Sequence, residues 1–545
     1  MKSPTVMLLA IGFAAAMSQV NALQPSVAQR PQGGRRLVSP AVRHDTSPPL
    51  RELARSYSLQ GPDRQIPIKT PPGLAERHKG FAKGRDPVLQ EAPTAALTPP
   101  PLLSFEGLSE DDNATLLGFR VIPPDTNGDV GPNHYVQFIN LLMAVYNKSG
   151  ARLFGPVAGD TVWAGFGGIC ESNNDGDPVA LYDHLADRWV LSQFALGDDG
   201  HQCVAVSATN DPIGPYHRYD FVVSPDGVND YPKLGVWPDA YYMSANEFDP
   251  GFDGAIAVAF ERDRMLAGLS AQMVKFGPLG CEDECFFSLQ PSDLDGAPPA
   301  PGTPNTFVMA FDDETWGAGS NPDGYRLWEF HVDWATPANA TFTALGQVDT
   351  TEFDANLCNF NPCVTQPASG ERLDSLSQFT MYRAQSRTFA THQTLLVSHT
   401  VDATGRNLAA PRWAELRHTA AGWSLHQTGT YALADGLHRW TGSAAMDVDG
   451  NIALGYSVSG RSLFPSIRYA TRLASDPLGT LGNEVELQAG AGVQRRSFNR
   501  WGDYSSMSVD PNGCTFWYTQ EYYANTARFD FKTRIGSFVV PGCSP

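Results

Sequence analysis

Two stretches of this chain repeat one pattern, and the pattern is a β-hairpin. RWTGSAAMDVDGNIALGYS runs from Arg439 to Ser457, and RWGDYSSMSVDPNGCTFWYTQEYY runs from Arg500 to Tyr523. Arg439-Trp440 matches Arg500-Trp501, Met446 matches Met507, Val448-Asp449 matches Val509-Asp510, and Tyr456 falls near Tyr518. In the second copy Asp510-Pro-Asn-Gly513 supplies turn chemistry between a period-2 strand and a strand rich in Thr, Phe, Trp and Tyr. The copies lie about 60 residues apart, a period that suits a four-stranded propeller blade with long loops.

Composition supports short strands: 51 Gly, 42 Pro and 11% aromatic residues favour turns over helices. Five earlier segments read as similar units. They open at PPDTNGDVGP, GDPVALYDH, NDYPKLGVWP, SLQPSDLDG and FTMYRAQSR. The expected fold is all-β, a single β-propeller over residues 101–545, seven-bladed, or six-bladed if the first and last segments share one blade. Ahead of it, Lys2 and the apolar run Val6 to Met17 end at Val20-Asn21-Ala22, a signal peptide over 1–22. Residues 23–100 are rich in Pro and scattered Arg, and read as a disordered leader or pro-segment.

No later stretch has the roughly 18–20 continuous apolar residues of a membrane-spanning helix. The expected product is a secreted, extracellular or periplasmic monomer. Eight cysteines agree with an oxidising compartment. Sequential pairing is the simplest for consecutive blades: Cys170 with Cys203, Cys281 with Cys285, Cys358 with Cys363, and Cys514 with Cys543. The net charge is −19, with a basic leader and an acidic body. Such a body is no nucleic-acid binder, because phosphate recognition needs a concentrated basic face.

SVDPNGCTFW, from Ser508 to Trp517, resembles the Asp-box turn of sialidase-like propellers, with one residue inserted before Gly513 and another before Trp517. PPDTNGDVGPNHYVQ, NDYPKLGVWPDAYY, HRWTGS and RWGDYSSMSVDP are similar to an exported bacterial sialidase-like β-propeller family that has no well-established activity. The resemblance covers about residues 115–543. It implies the fold, and it makes the Asp510 turn a structural element.

The chemistry is expected where units open. Asp125, Asp129, Asp177, Asp230, Asp239, Asp374, Arg439, Arg500 and Asp503 would converge on one funnel. A glycan site needs such a set, with two carboxylates for acid and base and aromatic faces for sugar rings. The catalytic candidates are Asp503, Tyr504, Glu521 and Asp239. The ligand-binding candidates are Arg372, Arg439, Trp440, Arg500 and Trp501. Sialidases use three arginines with a Tyr–Glu pair and an Asp, and Arg372, Arg439, Arg500, Tyr504, Glu521 and Asp503 could fill those roles. Asp125-Thr-Asn127-Gly-Asp129 alternates oxygen ligands around a Gly turn and is a candidate calcium site. No motif for nucleotide, flavin or haem binding is present. The expected function is glycan binding, with or without hydrolysis, at the channel face, and the partner is a glycan or cell-surface ligand. The alternatives are a non-enzymatic adhesion or protein-interaction propeller, and a polysaccharide lyase using one of His134, His331, His399 or His438.

Overall fold

The structure is a computed structural model that describes residues 1, 34–53, 62–78, 83–281, 283–495 and 499–543. The signal-peptide expectation lies outside the described residues. From Asn127 onward the chain forms seven successive antiparallel units. Their inner strands are Asn127–Val130, Gly176–Asp183, Val228–Val236, Gln290–Asp295, Ala384–Thr388, His438–Met446 and Ser506–Val509. Six units are continuous four-stranded meanders. The seventh supplies three strands and takes its fourth from Leu103–Ser109, paired with the strand Phe531–Val539. The N-terminal part of the chain thus completes the last sheet.

Packing face to face explains the sequence pattern of the strands. Gly176–Asp183 is buried at every position, as a strand covered on both faces must be. The outermost strand Thr341–Asp349 is largely exposed instead. Between sheets the contacts are aromatic: Phe221 lies 4.7 Å from Phe260, Tyr469 stacks at 4.0 Å on Phe538, and Tyr135 stacks at 5.4 Å on Trp517. The Tyr135–Trp517 pair joins the first sheet to the seventh. Each such ring contributes about 1.5–3 kcal/mol by burial.

The turn at Asp510 has the form its sequence suggests. The Asp510 carboxylate accepts from the Asn512 amide at 3.1 Å and from the Trp517 indole at 3.3 Å. Gly513 takes the left-handed conformation, φ 84°, that closes the turn. All four expected disulfides are present.

The stretch read as an unstructured leader, 23–100, is only partly described, and its described pieces lie on the sheets. Arg36–Pro40 adds a fifth strand to the third sheet and Arg43–Thr46 adds one to the second. Arg64–Gln65 runs parallel to Val121–Ile122, and Leu89–Gln90 parallel to Thr430–Tyr431. These segments carry too little apolar surface to form a core. Arg36–Pro40, Arg43–Thr46 and Leu89–Gln90 are ordered because an outer strand offers a row of unpaired backbone groups, while Arg64–Gln65 pairs in a separate two-stranded sheet. Arg218 adds a fork to the Asp45 carboxylate at 2.8 and 2.6 Å.

Cys514 and Cys543 bracket the two outer native strands of the seventh sheet, 29 residues apart. Replacing both with Ser is expected to lower stability by about 3 kcal/mol. Urea unfolding monitored by tryptophan fluorescence measures it, and an unchanged midpoint would refute the role.

Candidate functional site

Several inner strands open with the same device. The register shifts between Gly176 and Val179, between Asp230 and Lys233, and between Trp440 and Ser443 are bulges. Each contains a left-handed non-glycine residue: Asp177 (φ 47°), Tyr231 (φ 59°) and Thr441 (φ 48°). Asp125 and Ser288, just ahead of the first and fourth inner strands, share that conformation at φ 48° and 56°. Each costs roughly 1–2 kcal/mol, and bulges of this kind re-aim side chains.

The re-aimed side chains form a charged cluster at the leading ends of the inner strands. The Asp177 carboxylate accepts from the Tyr231 amide at 3.0 Å and is hydrogen-bonded to the Asp125 carboxyl. Asp125 Oδ1 also faces the Asp503 amide at 3.4 Å. Lys233 Nζ lies between two rings, 3.5 Å from the centroid of Tyr231 and 3.8 Å from that of Tyr504. Tyr504 donates its hydroxyl to the Pro178 carbonyl at 3.1 Å. Arg500 joins Asp503 and, at 3.4 Å, Asp374.

Burial dominates the protonation of this cluster. It pushes Asp125 well above the usual carboxylate range, with the Asp503 and Asp177 charges adding to the effect. Asp177 is raised for the same first reason. Asp230 is raised to about 8 by burial and then by Asp177. Asp374 is raised to about 6 by burial, with Arg500 opposing. Glu521 is pushed well up by burial, with the Gly502 amide opposing. Burial lowers Lys233 to about 8 against the pull of the surrounding carboxylates. The low-dielectric site therefore disfavours charge on Asp125, Asp177 and Glu521 and keeps the proton on Asp230 to about pH 8.

The cluster is covered. The Ile66 carbonyl accepts from Arg500 Nε at 2.9 Å, and Gln65 Nε2 donates to Asn499 Oδ1 at 3.0 Å. Lys69 lies 5.5 Å from the Phe248 ring, and its charge tempers the rise of Asp230. The described strap 62–69 thus lies against the cluster. Asp503 is 8% exposed, and its Oδ1 has no hydrogen-bond partner among the described residues.

Of the residues expected to act together, the structure brings Asp503, Tyr504, Glu521 and Arg500 to this cluster. Asp239 is elsewhere: it follows the trailing end of the third inner strand and accepts from the Tyr242 hydroxyl at 3.2 Å. Arg439 turns outward to Glu484 and Asp435 and is fully buried. Trp440 and Trp501 are fully buried against one another at 5.8 Å, so neither offers a face to a sugar. Arg372 is on the short hairpin strand Arg372–Leu373. The oxygens of the candidate calcium motif are engaged within the protein. Asn127 Oδ1 accepts from the Ala180 amide at 2.7 Å, and Asp129 from the Val130 and Tyr182 amides at 2.7 and 2.8 Å. Asn127 and Asp129, two apart on one strand, reach the same neighbouring strand and clamp two sheets together.

Lys233 and Tyr231 were missed by the sequence reading. The sequence Asp230-Tyr-Pro-Lys233 does contain a signal, a lysine just inside a unit opening that is otherwise acidic. A second charged nest was also missed. Lys83 Nζ contacts Asp323 at 2.6 Å, Asp312 at 3.2 Å and Glu314 at 2.5 Å. Burial would lower its pKa, but these carboxylates outweigh burial and raise it. His78, Asp312 and Asp354 place ligand-type atoms within 4.8 Å of one another, so this is where a metal could be held.

An open cavity among the described residues lies on the face of the leading ends. Inner strands run away from that face and second strands return to it, so the loops between second and third strands lie there too. The loop after Gln393–Asp402 and the turn after Ile452–Gly460 border a groove of 480 Å³ between the fifth and sixth sheets.

The fold and these sites define a propeller-like, disulfide-bonded β protein. No family model and no curated sequence matches the chain. Among solved structures it is similar to a protein of unknown function from Dyadobacter fermentans. The TM-score is 0.37 at 13% identity, covering 66% of this chain and 93% of that one. It is also similar to a polysaccharide lyase described as an ulvan lyase, with a TM-score of 0.36 at 10% identity, covering 76% and 91%. A third likeness is to a Synechocystis apocarotenoid oxygenase mutant, with a TM-score of 0.32 at 12% identity, covering 68% and 76%. At these scores no residue role passes from them to this chain.

The raised acids carry a pH dependence. Asp230 keeps its proton to about pH 8 in the fold but loses it near pH 4 when unfolded. Between those values the unfolded chain binds fewer protons, so this group's contribution to stability falls as pH rises. Asp230→Asn is therefore expected to gain stability relative to the parent from about pH 4.5 to pH 8. Urea midpoints at several pH values measure the difference, and a gap independent of pH would refute it.

Proposed function

We propose that this chain is an exported seven-bladed β-propeller that binds an oligosaccharide on the face of its inner-strand leading ends and does not cleave it. The seven units, the closure by Leu103–Ser109 and the Tyr135–Trp517 contact between first and last sheets support the blade count. The disulfides agree with export. The observation that carries binding without turnover is the contrast on one face. The channel cluster is closed by Arg500 ion pairs and the strap at Ile66, while the neighbouring polar groove is open and has the volume of a small-ligand site.

Hydrolysis is the second reading. It is favoured by the unpartnered Asp503 Oδ1 beside the hydrogen-bonded Asp125–Asp177 carboxyl pair, whose charged forms burial disfavours. In that reading the neutral carboxyl would protonate a leaving oxygen and Asp503 would act as base, once the strap had lifted.

A glycan array followed by reducing-end assays on every bound glycan separates the two readings. Binding without new reducing ends is expected, with Asp503→Asn binding as the parent does. New reducing ends released by the parent, and lowered by about 10²-fold or more in Asp503→Asn, would overturn the binding-only reading and establish hydrolysis.

A further inference from the structure

The groove between the fifth and sixth sheets has a charge opposite to that of the protein. In a chain of net charge −19, its rim carries Arg406 and Arg461. Both are exposed, and neither guanidinium has a hydrogen bond or ion pair among the described residues. The one acid on the lining, Asp435, is already neutralised: Arg439 donates to it at 3.1 and 2.7 Å. Arg439 is itself fixed on its other side by Glu484 at 2.6 Å, so none of its charge is left unbalanced.

The groove wall adds a neutral donor. His438 lines it and is 6% exposed. Its Nδ1 accepts from the Ala409 amide at 3.2 Å. Burial and then the Arg372 charge lower its pKa to about 4, so the ring is neutral and, with Nδ1 accepting, Nε2 carries the proton. That N–H has no partner among the described residues, so it is available to an acceptor in the groove.

Both arginines stand on rigid supports. The Arg406 loop is gathered around one carboxylate. Asp402 accepts from the amides of Thr404, Arg406, Asn407 and Leu408 at 3.0, 3.3, 2.6 and 3.1 Å. Asn407 then accepts from the Cys358 amide at 2.7 Å, which ties the loop to the Cys358–Cys363 hairpin. Arg461 sits in the tight turn between paired Gly460 and Leu463. These supports fix the backbone from which each side chain reaches the groove, so a ligand has to order only the side chains themselves.

From this arrangement we infer that the groove is a subsite for a carboxylate-bearing saccharide, a uronate chain. This deepens the glycan-binding reading and rests on it. A planar carboxylate matches the forked guanidinium in a two-point contact, while His438 Nε2–H, Asn407 and Ser462 are suited to ring hydroxyls. A uronate chain spreads one charge over each sugar ring, so the acidic body opposes it less than the denser charge of a polyphosphate or nucleic acid.

The test uses the full chain, a galacturonic acid hexamer as probe, and a neutral glucose hexamer as control, by isothermal titration calorimetry. Binding of the galacturonate hexamer is expected at low salt, weakening toward roughly 0.15 M salt as the charges are screened. Arg406→Ala/Arg461→Ala is expected to lose about tenfold or more in affinity with an unchanged unfolding midpoint, since both side chains are exposed. His438→Gln, which keeps a donor, is expected to bind better than His438→Ala. Equal galacturonate binding by the parent and the double-arginine variant overturns the groove assignment while leaving glycan binding intact. Equal binding of tripolyphosphate, or of the neutral hexamer, overturns the carboxylate-saccharide class. If no saccharide binds, charged or neutral, the glycan reading fails and the groove assignment fails with it.

Discussion

Apart from Gln290–Asp295 and Ala384–Thr388, which pair with each other in parallel, the inner strands have one edge with no strand beyond it among the described residues, and the structure depends on how the amides near that edge are satisfied. The neighbouring sheet does it with side chains. Asn127 takes the Ala180 amide, Asp129 the Tyr182 amide, Asp177 the Tyr231 amide and Asp293 the Val236 amide. Further round, Gln385 takes the Met446 amide and Ser443 Oγ the Met507 amide. A buried amide left without a partner costs about 1–3 kcal/mol. These contacts thus fix each sheet against the next, in register, at the position where the core is narrowest. They also explain why short acidic side chains recur two residues apart at the unit openings.

That arrangement has an electrostatic consequence. Acids recruited as acceptors must be buried, and burying several together would be prohibitive if all were ionised. The structure answers in two ways. Burial raises Asp125, Asp177 and Asp230 above the usual carboxylate range, which disfavours their charged forms, and cations are placed among the acids. Lys233 lies between two tyrosine rings, Arg500 bridges Asp374 and Asp503, and Arg383 reaches Asp293 at 2.6 Å and Asp295 at 2.9 Å. Much of the channel chemistry that looks catalytic by residue type is therefore engaged in holding the sheets together.

The architecture was legible because it is local. Turn residues, strand period and the repeat at Arg439 and Arg500 all act within a few tens of residues, and so does the pairing of sequential cysteines. The covering of the site was not legible, because its partners are remote. The Ile66 carbonyl and Arg500 are 434 residues apart, and Lys83 and Asp312 are 229 apart. Composition also gave no sign of the added strands Arg36–Pro40 and Arg43–Thr46. Low apolar content argues against an independent core, but a strand added to an existing edge needs only backbone hydrogen bonds and a few anchors such as Arg218 to Asp45.

The same dipeptide has opposite fates in the two copies of the repeat, and the reason is where each strand starts. Arg439 is the second residue of His438–Met446 and is held opposite Val458 in the ladder. Its side chain leaves the strand toward the outer strands and meets Glu484 and Asp435. Arg500 precedes the strand Ser506–Val509 and is outside any ladder, so its backbone can bend and its side chain turns inward to Asp374 and Asp503. Trp440 and Trp501 are constant between the copies because each fills the wedge between the same two sheets. Sequence identity between repeats thus carried the packing residue and not the charged one. By taking up Asp435, Arg439 leaves the neighbouring groove with uncompensated positive charge, while Arg500 spends its own charge closing the channel.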